Sequence, residues 1–328
     1  MHEAVRLDFT LGGILLHTSR LNALRLDAHY TELGTDPAQT AASTQALPAG
    51  VDVAVMEAHP VETPLPRLRI KRRALVYAPS QYRRQFVDLD RSFPQYLQTL
   101  RSAVRRKFRR HAERFADLNG GKLEWREYRR PEDLEEFYGL AREVSRKTYQ
   151  ERELNCGLPE EEQFRKELAA QASGDEVRCY LLFHQARPAA YALCRAARGI
   201  LTYEKAGYDP ALRQIYPGMV LLHLILRRLF EERRFSRFDF GPGEYRYKRS
   251  LATGSLPCAD VYCYRLRPRL VWLLCLHSAT DMISRTAGRL LERLHWKERA
   301  QRWIRLNLGD PALAWRHAWG GKAQSQHG

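Results

Sequence analysis

The chain has 328 residues, an apolar fraction of 44% and a formal net charge of +16. This length and apolar content indicate a globular protein with a real core, built as one large domain or two modest ones. The excess of positive charge indicates an anionic partner, such as a nucleotide cofactor, an acidic polymer, RNA or an anionic lipid surface.

Cysteine spacing and apolar runs argue against several other classes. The six cysteines include no C-x-x-C pair, which speaks against zinc and redox motifs and fits a reducing compartment. The N-terminus lacks a basic segment followed by a long apolar stretch, so no signal peptide is expected. The apolar run Leu270–Leu276 is far shorter than the ~20 residues that span a bilayer. We therefore expect a cytoplasmic protein.

The N-terminal part is predicted to be β-rich and shows no obvious site. Alternation around Gly12-Gly13 predicts a hairpin over residues 4–19, and small polar residues predict a loop over 34–50. Val51–Met56 is predicted to be a buried strand, and 65–77 one or two strands.

A strongly basic helix is predicted from Phe93 to Phe115. Residues 101–114 hold seven Lys or Arg against one acid. This pattern is typical of a solvated helix face, and it also suits contact with an anionic acceptor or a membrane surface.

The middle of the chain predicts a regular order of elements. A strand at Lys122–Tyr128 is followed by helices from Pro131 to about Tyr149 and over roughly 160–172. Further strands are then predicted at 177–183, 189–195, 201–208, 237–240 and 259–265, with a turn at 185–188 and a helix after the third of them.

The segment after the 201–208 strand has the features of an anion site. The breaker Asp209-Pro210 ends the strand, and Pro217-Gly218 opens a helix. A helix start presents free N–H groups and the positive end of its dipole, which suits a phosphate. Arg213 precedes this start, and Gly218 would let a ligand approach the backbone. An ordinary strand–helix–strand crossover with a surface arginine is the alternative.

The helix from Pro217 and the segment after it complete this stretch. Apolar residues share one helix face, and His223 is expected to be a packing residue because no partner lies one turn away. The short strand Arg237–Phe240 stops at Gly241-Pro242-Gly243, and a loop then holds Tyr245, Tyr247 and Lys248.

The stretch resembles the FemAB-like branch of the GNAT acyltransferases, a branch that includes acetyltransferases found with cellulose and exopolysaccharide biosynthesis. The matching pieces are the strand ending in GYDP, Pro217-Gly218 before an apolar helix, the FDFG strand, and Tyr247-Lys248-Arg249. A weaker resemblance extends from about Tyr82 to Arg265. Relatives often carry serine where this chain has Tyr216, so that part of the phosphate site departs from the pattern.

The resemblance implies an α/β (α+β) fold of the GNAT type with a mixed, mostly antiparallel central sheet. It also implies a degenerate tandem arrangement of two GNAT-like halves and a C-terminal helical tail. The expected division is a reduced β-rich half over 1–95, a catalytic domain over 96–265, and a basic amphipathic tail over 266–328.

The resemblance further implies direct attack of an amine or hydroxyl on an acyl-CoA thioester, with acetyl-CoA as the expected donor and no metal. The expected cofactor-binding residues are Arg213, Tyr216, Pro217, Gly218 and Met219. The candidate proton acceptors are Glu204 and Asp239, for which ion pairs with nearby Arg or Lys are the alternative role. The candidate acids for the leaving thiolate are Tyr245 and Tyr247. Lys248 would stabilise negative charge or bind phosphate, and a surface charge is its alternative.

Three functions stay open on the sequence. The first is acyl transfer to a saccharide, a polymer precursor or an amine. The second keeps the fold but uses aminoacyl-tRNA, although no long coiled-coil arm of the kind seen in some such enzymes is visible. The third is a non-enzymatic binding module of a polysaccharide-synthesis complex. The oligomeric state is not predicted.

The basic tail allows two interpretations. Ile283, Ala287, Leu290 and Leu294 form an apolar stripe, opposite a ridge of Arg285, Arg289, Arg293 and Lys297. Such a helix would either pack on the catalytic domain or hold the protein at an anionic inner-membrane surface.

Overall fold

The computed structural model describes residues 2–11, 14–26, 50–71, 74–148, 157–243, 245–277 and 279. The chain divides into two compact units, one formed by Met1–Tyr82 with Leu256–Gly328 and the other by Arg83–Ser255. Two long strands, β5 (Ala74–Asp88) and β11 (Gly254–Arg265), contribute residues to both units. The predicted division into residues 1–95, 96–265 and 266–328 stays a prediction.

The first unit is built on strands. The predicted hairpin is confirmed as β1 (His2–Leu11) and β2 (Ile14–Arg25), which pair antiparallel. β3 (Val53–Pro60) pairs parallel with β2 and antiparallel with β11, and β4 (Leu68–Lys71) pairs antiparallel with β5. Helix α7, over residues 268–277, buries Leu270 and Leu274 in the core of this unit.

The second unit holds a mixed sheet in the order β5-β10-β9-β8-β7-β6. β6 (Trp125–Tyr128), β7 (Val177–His184), β8 (Arg187–Ala197) and β9 (Ile200–Tyr208) form an antiparallel run. β10 (Arg237–Asp239) is parallel to β9 and antiparallel to β5. The predicted mixed, mostly antiparallel sheet is confirmed, whereas a tandem origin of the two units stays a prediction.

Helices cover both faces of this sheet because its central strands are apolar on both sides. Along β7, Tyr180 and Leu182 face one core and Leu181 and Phe183 face the other. The first core lies under α1 (Phe93–Thr99), α2 (Ser102–Asp117) and α5 (Pro217–Glu232). The second lies under α3 (Leu134–Ser145) and α4 (Glu162–Ser173).

His223 on α5 is a packing residue, as expected. Its ring lies edge-on to Phe93 and Phe108, with ring centroids 5.4 and 4.9 Å away. Burial lowers the pKa of His223 to about 4, so the ring is neutral at physiological pH.

Three predicted helical or loop segments differ from the structure. The basic helix expected from Phe93 is two helices, because Leu100 adopts an extended backbone and Thr99 Oγ1 donates to Tyr96 O at 2.7 Å, which closes the first helix. The helix expected to reach Tyr149 ends at Ser145, and a 3-10 turn, Pro131–Asp133, precedes it. The loop expected to hold Tyr247 and Lys248 is helix α6 (Arg246–Leu251).

Strand bounds also move where tertiary pairing decides them. The last strand starts at Gly254, five residues before the predicted start at Ala259. Gly254 lies against the Phe86 ring, where a Cβ would be 2.6 Å from Cζ. β5 runs to Asp88 because β10 pairs with its second half. The expected 34–50 loop, apart from residue 50, and the stripe and ridge at 283–297 lie outside the described residues.

Candidate active site

The strands β9 and β10 part after a short pairing, and the gap between them beyond Thr202 is called the cleft here. The two parallel strands pair only through Ile200, Leu201 and Thr202. Beyond Thr202, β9 continues to Tyr208 bonded to β8, and no strand within the described residues pairs with its other edge. Unpaired backbone groups at this edge are therefore available to an extended ligand arm.

A β-bulge sits at the mouth of this cleft. The β8–β9 register shifts so that Cys194 faces Tyr203 while Leu193 faces Lys205, which leaves Glu204 as the extra residue. The Glu204 carboxylate pairs with Arg195, and one third of its side chain remains exposed. The bulge thus places a carboxylate beside the open strand edge.

The opposite wall of the cleft is held by a buried ion pair. Asp239, at the end of β10, is fully buried, and Arg84 of β5 contacts both its oxygens, at 3.2 Å (Nε–Oδ1) and 2.6 Å (Nη2–Oδ2). Asp239 Oδ1 also accepts the Gly241 N–H at 2.7 Å. Gly241 has φ +70°, and a Cβ there would lie 2.9 Å from Tyr203 O, so the turn approaches β9 closely.

Lys248 holds the same turn from the other side. Its Nζ donates to Pro242 O at 2.6 Å and to Gly241 O at 3.4 Å. Lys248 is almost completely buried, and its Nζ lies 5.0 Å from the centroid of the Tyr245 ring. Lys248 therefore orders the Gly241-Pro242 carbonyls, while its predicted role in charge stabilisation stays a prediction.

Burial perturbs the ionisable groups around this turn. It raises the pKa of Asp239 to about 7, against the opposing effects of the Gly241 N–H and Lys248. It lowers the pKa of Lys248 to about 8. It also raises the pKa of Tyr247 well above its usual value, which keeps that phenol protonated, whereas Tyr245 is 39% exposed.

The start of α5 lies next to the open end of β9. Gly218 approaches the Tyr208 ring, since a Cβ on Gly218 would be 3.4 Å from that ring. Pro217 has no N–H, and Met219 N donates to Tyr216 O at 3.0 Å. Gly218 therefore contributes the first N–H of the helix, at the positive end of its dipole.

The loop before α5 carries the remaining predicted residues. Arg213 is exposed in a 3-10 helix, Pro210–Ile215, and no ion pair is formed by it within the described part of the chain. Tyr216 caps α5 with φ +53° and leaves 47% of its surface exposed. Met219 is partly buried against the core, so only its backbone faces the helix start.

Several residues of the site were not found from the sequence. Arg84 and Arg195 lie in strands without a motif, and only the paired strands bring them to Asp239 and Glu204. Lys147 binds Asp209 Oδ2 at 2.7 Å. Desolvation acts to raise the pKa of Asp209, but the Lys147 ammonium and the Ala211 N–H outweigh it and hold this pKa below its usual value.

The described residues contain no group of three or more His, Cys, Asp or Glu side chains placed to hold a metal ion. Over the same part of the chain, every helix is too short or too polar to cross a bilayer.

Comparison with known proteins agrees with this geometry. Residues 102–249 match the family described as acetyltransferase (GNAT) domain. The structure is similar to FemX, with a TM-score of 0.51 and 11% identity over 83% of this chain and 90% of FemX. At that identity the likeness shows the fold alone.

Two weaker structural likenesses were also found. L-PGS from Bacillus licheniformis has a TM-score of 0.46 and 13% identity over 81% of this chain and 86% of that one. The C-terminal domain of a putative lysylphosphatidylglycerol synthetase from Agrobacterium fabrum has a TM-score of 0.47 and 11% identity, covering 79% and 84%. No curated protein matches the chain.

One region of the chain contains the parted strands β9 and β10, the start of α5 and the family match. The fold of this region agrees with the match. Residues 102–249 therefore match the acetyltransferase (GNAT) domain family, and the chain that carries this match is an acyltransferase.

Proposed function

We propose that the chain transfers an acyl group from an acyl-CoA, with acetyl-CoA as the donor, to an amine or hydroxyl of a saccharide or envelope-polysaccharide precursor. The observation that carries the proposal is the parting of β9 and β10 beside the start of α5. This arrangement offers a phosphate-binding helix start and an open strand edge to one extended thioester.

The two ends of the cleft would bind different parts of the acyl-CoA donor. The pyrophosphate would lie at the Gly218 N–H and the exposed Arg213 guanidinium, which suits a charged hydrogen bond. The pantetheine arm would run along the free edge of β9 after Thr202. A backbone N–H at the Glu204 bulge would then polarise the thioester carbonyl.

We assign the proton-transfer roles from how exposed each candidate side chain is. Glu204 is partly exposed at the bulge, so it is proposed to accept the proton of the attacking amine or hydroxyl. Asp239 is buried under Arg84, so we assign it to holding the Gly241 turn. Tyr247, which burial keeps protonated, and the more exposed Tyr245 are the proposed donors to the leaving thiolate.

The location at a membrane is a further part of the proposal. We place the protein in the cytoplasm, against the inner membrane. On α7 one face is buried in its own unit, while Trp272 is 72% and Leu276 43% exposed. An exposed Trp beside Arg269 suits the interface of an anionic bilayer. The fraction of protein that sediments with anionic vesicles should fall for Trp272→Gln. An unchanged fraction would show that α7 does not contact the membrane.

Calorimetric titration with acetyl-CoA tests the proposed donor. Arg213→Ala should weaken binding by roughly 1.5–3 kcal/mol, the contribution of a charged hydrogen bond. Arg198→Ala, in the exposed turn at the other end of β9, is the matched control and should leave the affinity unchanged. Binding of an aminoacyl-tRNA without binding of acetyl-CoA would assign the other donor chemistry to the same fold.

A further inference from the structure

Helix α2 presents a row of positive side chains on one face. Lys107, Arg110, His111 and Arg114 recur at the three- and four-residue spacing that places side chains on one side of a helix. Phe108 and Phe115 lie on the adjoining face and are buried against the core, which anchors α2 and directs this row outward.

This row adjoins the residue that caps α5. The His111 ring lies 4.1 Å, centroid to centroid, from the ring of Tyr216, with the ring planes tilted by 33°. Tyr216 directly precedes Pro217. The row therefore continues outward from the start of α5, past the point proposed for the pyrophosphate.

The charges of the row are not neutralised by the protein. Among the described residues, Lys107, Arg110 and Arg114 have no carboxylate partner, whereas Arg109 on the other side of the helix pairs with Glu113 at 3.5 Å. Desolvation lowers the pKa of His111, and the three neighbouring cations lower it further. A cluster of unpaired cations beside a phosphate site is suited to a second phosphate.

We propose that Lys107, Arg110 and Arg114 form the subsite for the 3′-phosphate of coenzyme A. The inference rests on the proposed acyl-CoA function and names the part of the donor that this surface selects. A phosphomonoester carries about −1.5 to −2 charges at neutral pH and three acceptor oxygens, which three cations can match. The α2 residues expose no large apolar side chain, so the surface suits phosphate contact better than insertion into lipid.

Dephospho-CoA, which lacks only the 3′-phosphate, gives a direct test by calorimetry on the full chain. The wild-type protein should bind CoA about tenfold or more tightly than dephospho-CoA, the effect of one charged hydrogen bond or more. The variant Lys107→Gln/Arg110→Gln/Arg114→Gln should bind CoA as weakly as dephospho-CoA. Its affinity for dephospho-CoA should stay close to that of the wild type.

A matched variant, Arg105→Gln/Arg106→Gln/Arg109→Gln, removes the same charge from the rest of α2 and should keep the preference for CoA. Equal wild-type affinity for CoA and dephospho-CoA would overturn the inference while leaving the proposed function in place. Failure of both ligands to bind would instead reject the proposed function. Reduced binding of tRNA or anionic vesicles by the first variant, with the CoA preference intact, would assign the row to another polyanion and overturn the inference.

Discussion

The ion pair between Arg84 and Asp239 should be essential to the stability of the second unit. Arg84→Met leaves a carboxylate that is wholly buried without its counter-ion. Loss of one partner of a buried pair costs about 3–5 kcal/mol, and the 13% exposure of Arg84 places this case near the lower value. We therefore expect urea unfolding, followed by circular dichroism, to show a loss of about 3 kcal/mol.

The double variant Arg84→Met/Asp239→Asn separates charge from packing. It removes both charges and keeps an acceptor for the Gly241 N–H, so it should recover most of the stability lost in Arg84→Met. Recovery is expected because the uncompensated charge, rather than the lost contact, dominates the cost. A double variant no more stable than the single one would refute this reasoning, as would a single variant within about 0.5 kcal/mol of wild type.

The pH dependence of Arg84→Met supplies an independent check. Burial raises the folded-state pKa of Asp239 above its unfolded value. Loss of the adjacent Arg84 cation further disfavours the charged carboxylate, so it should raise this pKa more. A carboxyl group whose pKa is raised by folding stabilises the protein at a pH below the pKa of the unfolded state. This stabilisation is lost as the pH rises through the pKa of the folded state. The deficit of Arg84→Met should therefore grow from pH 5 to pH 8, and a deficit that shrinks over this window would contradict the assignment.

Three further changes test other parts of the unit. Lys248→Met should lower kcat about tenfold while KM changes little, because the lost contacts order the Gly241-Pro242 turn; steady-state kinetics with an unchanged kcat would reduce Lys248 to packing. Gly207→Ala should destabilise by about 1–3 kcal/mol in thermal melts, since its Cβ would lie 2.6 Å from Tyr191 Cε1, whereas Gly139→Ala, in open space on α3, should not. His223→Phe should flatten the stability loss seen as pH falls from about 6.5 to 4, because over this window the unfolded chain's imidazole takes up a proton that burial keeps from the folded ring. An unaltered slope would point to other groups.

Local pattern was sufficient for the order of elements in the second unit. Alternation and apolar runs predicted β7, β8 and β9, and the Pro217-Gly218 pair predicted the start of α5, because proline at a first helical position and periodic apolar residues act over a few residues. The resemblance to the FemAB-like GNAT proteins added the location of the cleft. The same local rules identified His223 as a packing residue.

The residues that form the walls of the cleft are brought together only by the tertiary structure. Arg84 and Asp239 are 155 residues apart in the chain, and no local signal links them. The parting of β9 from β10 depends on which residues pair across two strands, and the bulge at Glu204 depends on register with β8. Helix α6 forms where Lys248 can reach the carbonyls of the Gly241 turn. The periodicity of apolar residues indicates which face of a helix or strand is buried. The register of strand pairing and the partners of buried charges depend on segments far away in the chain, so only the folded structure determines the register and these partners.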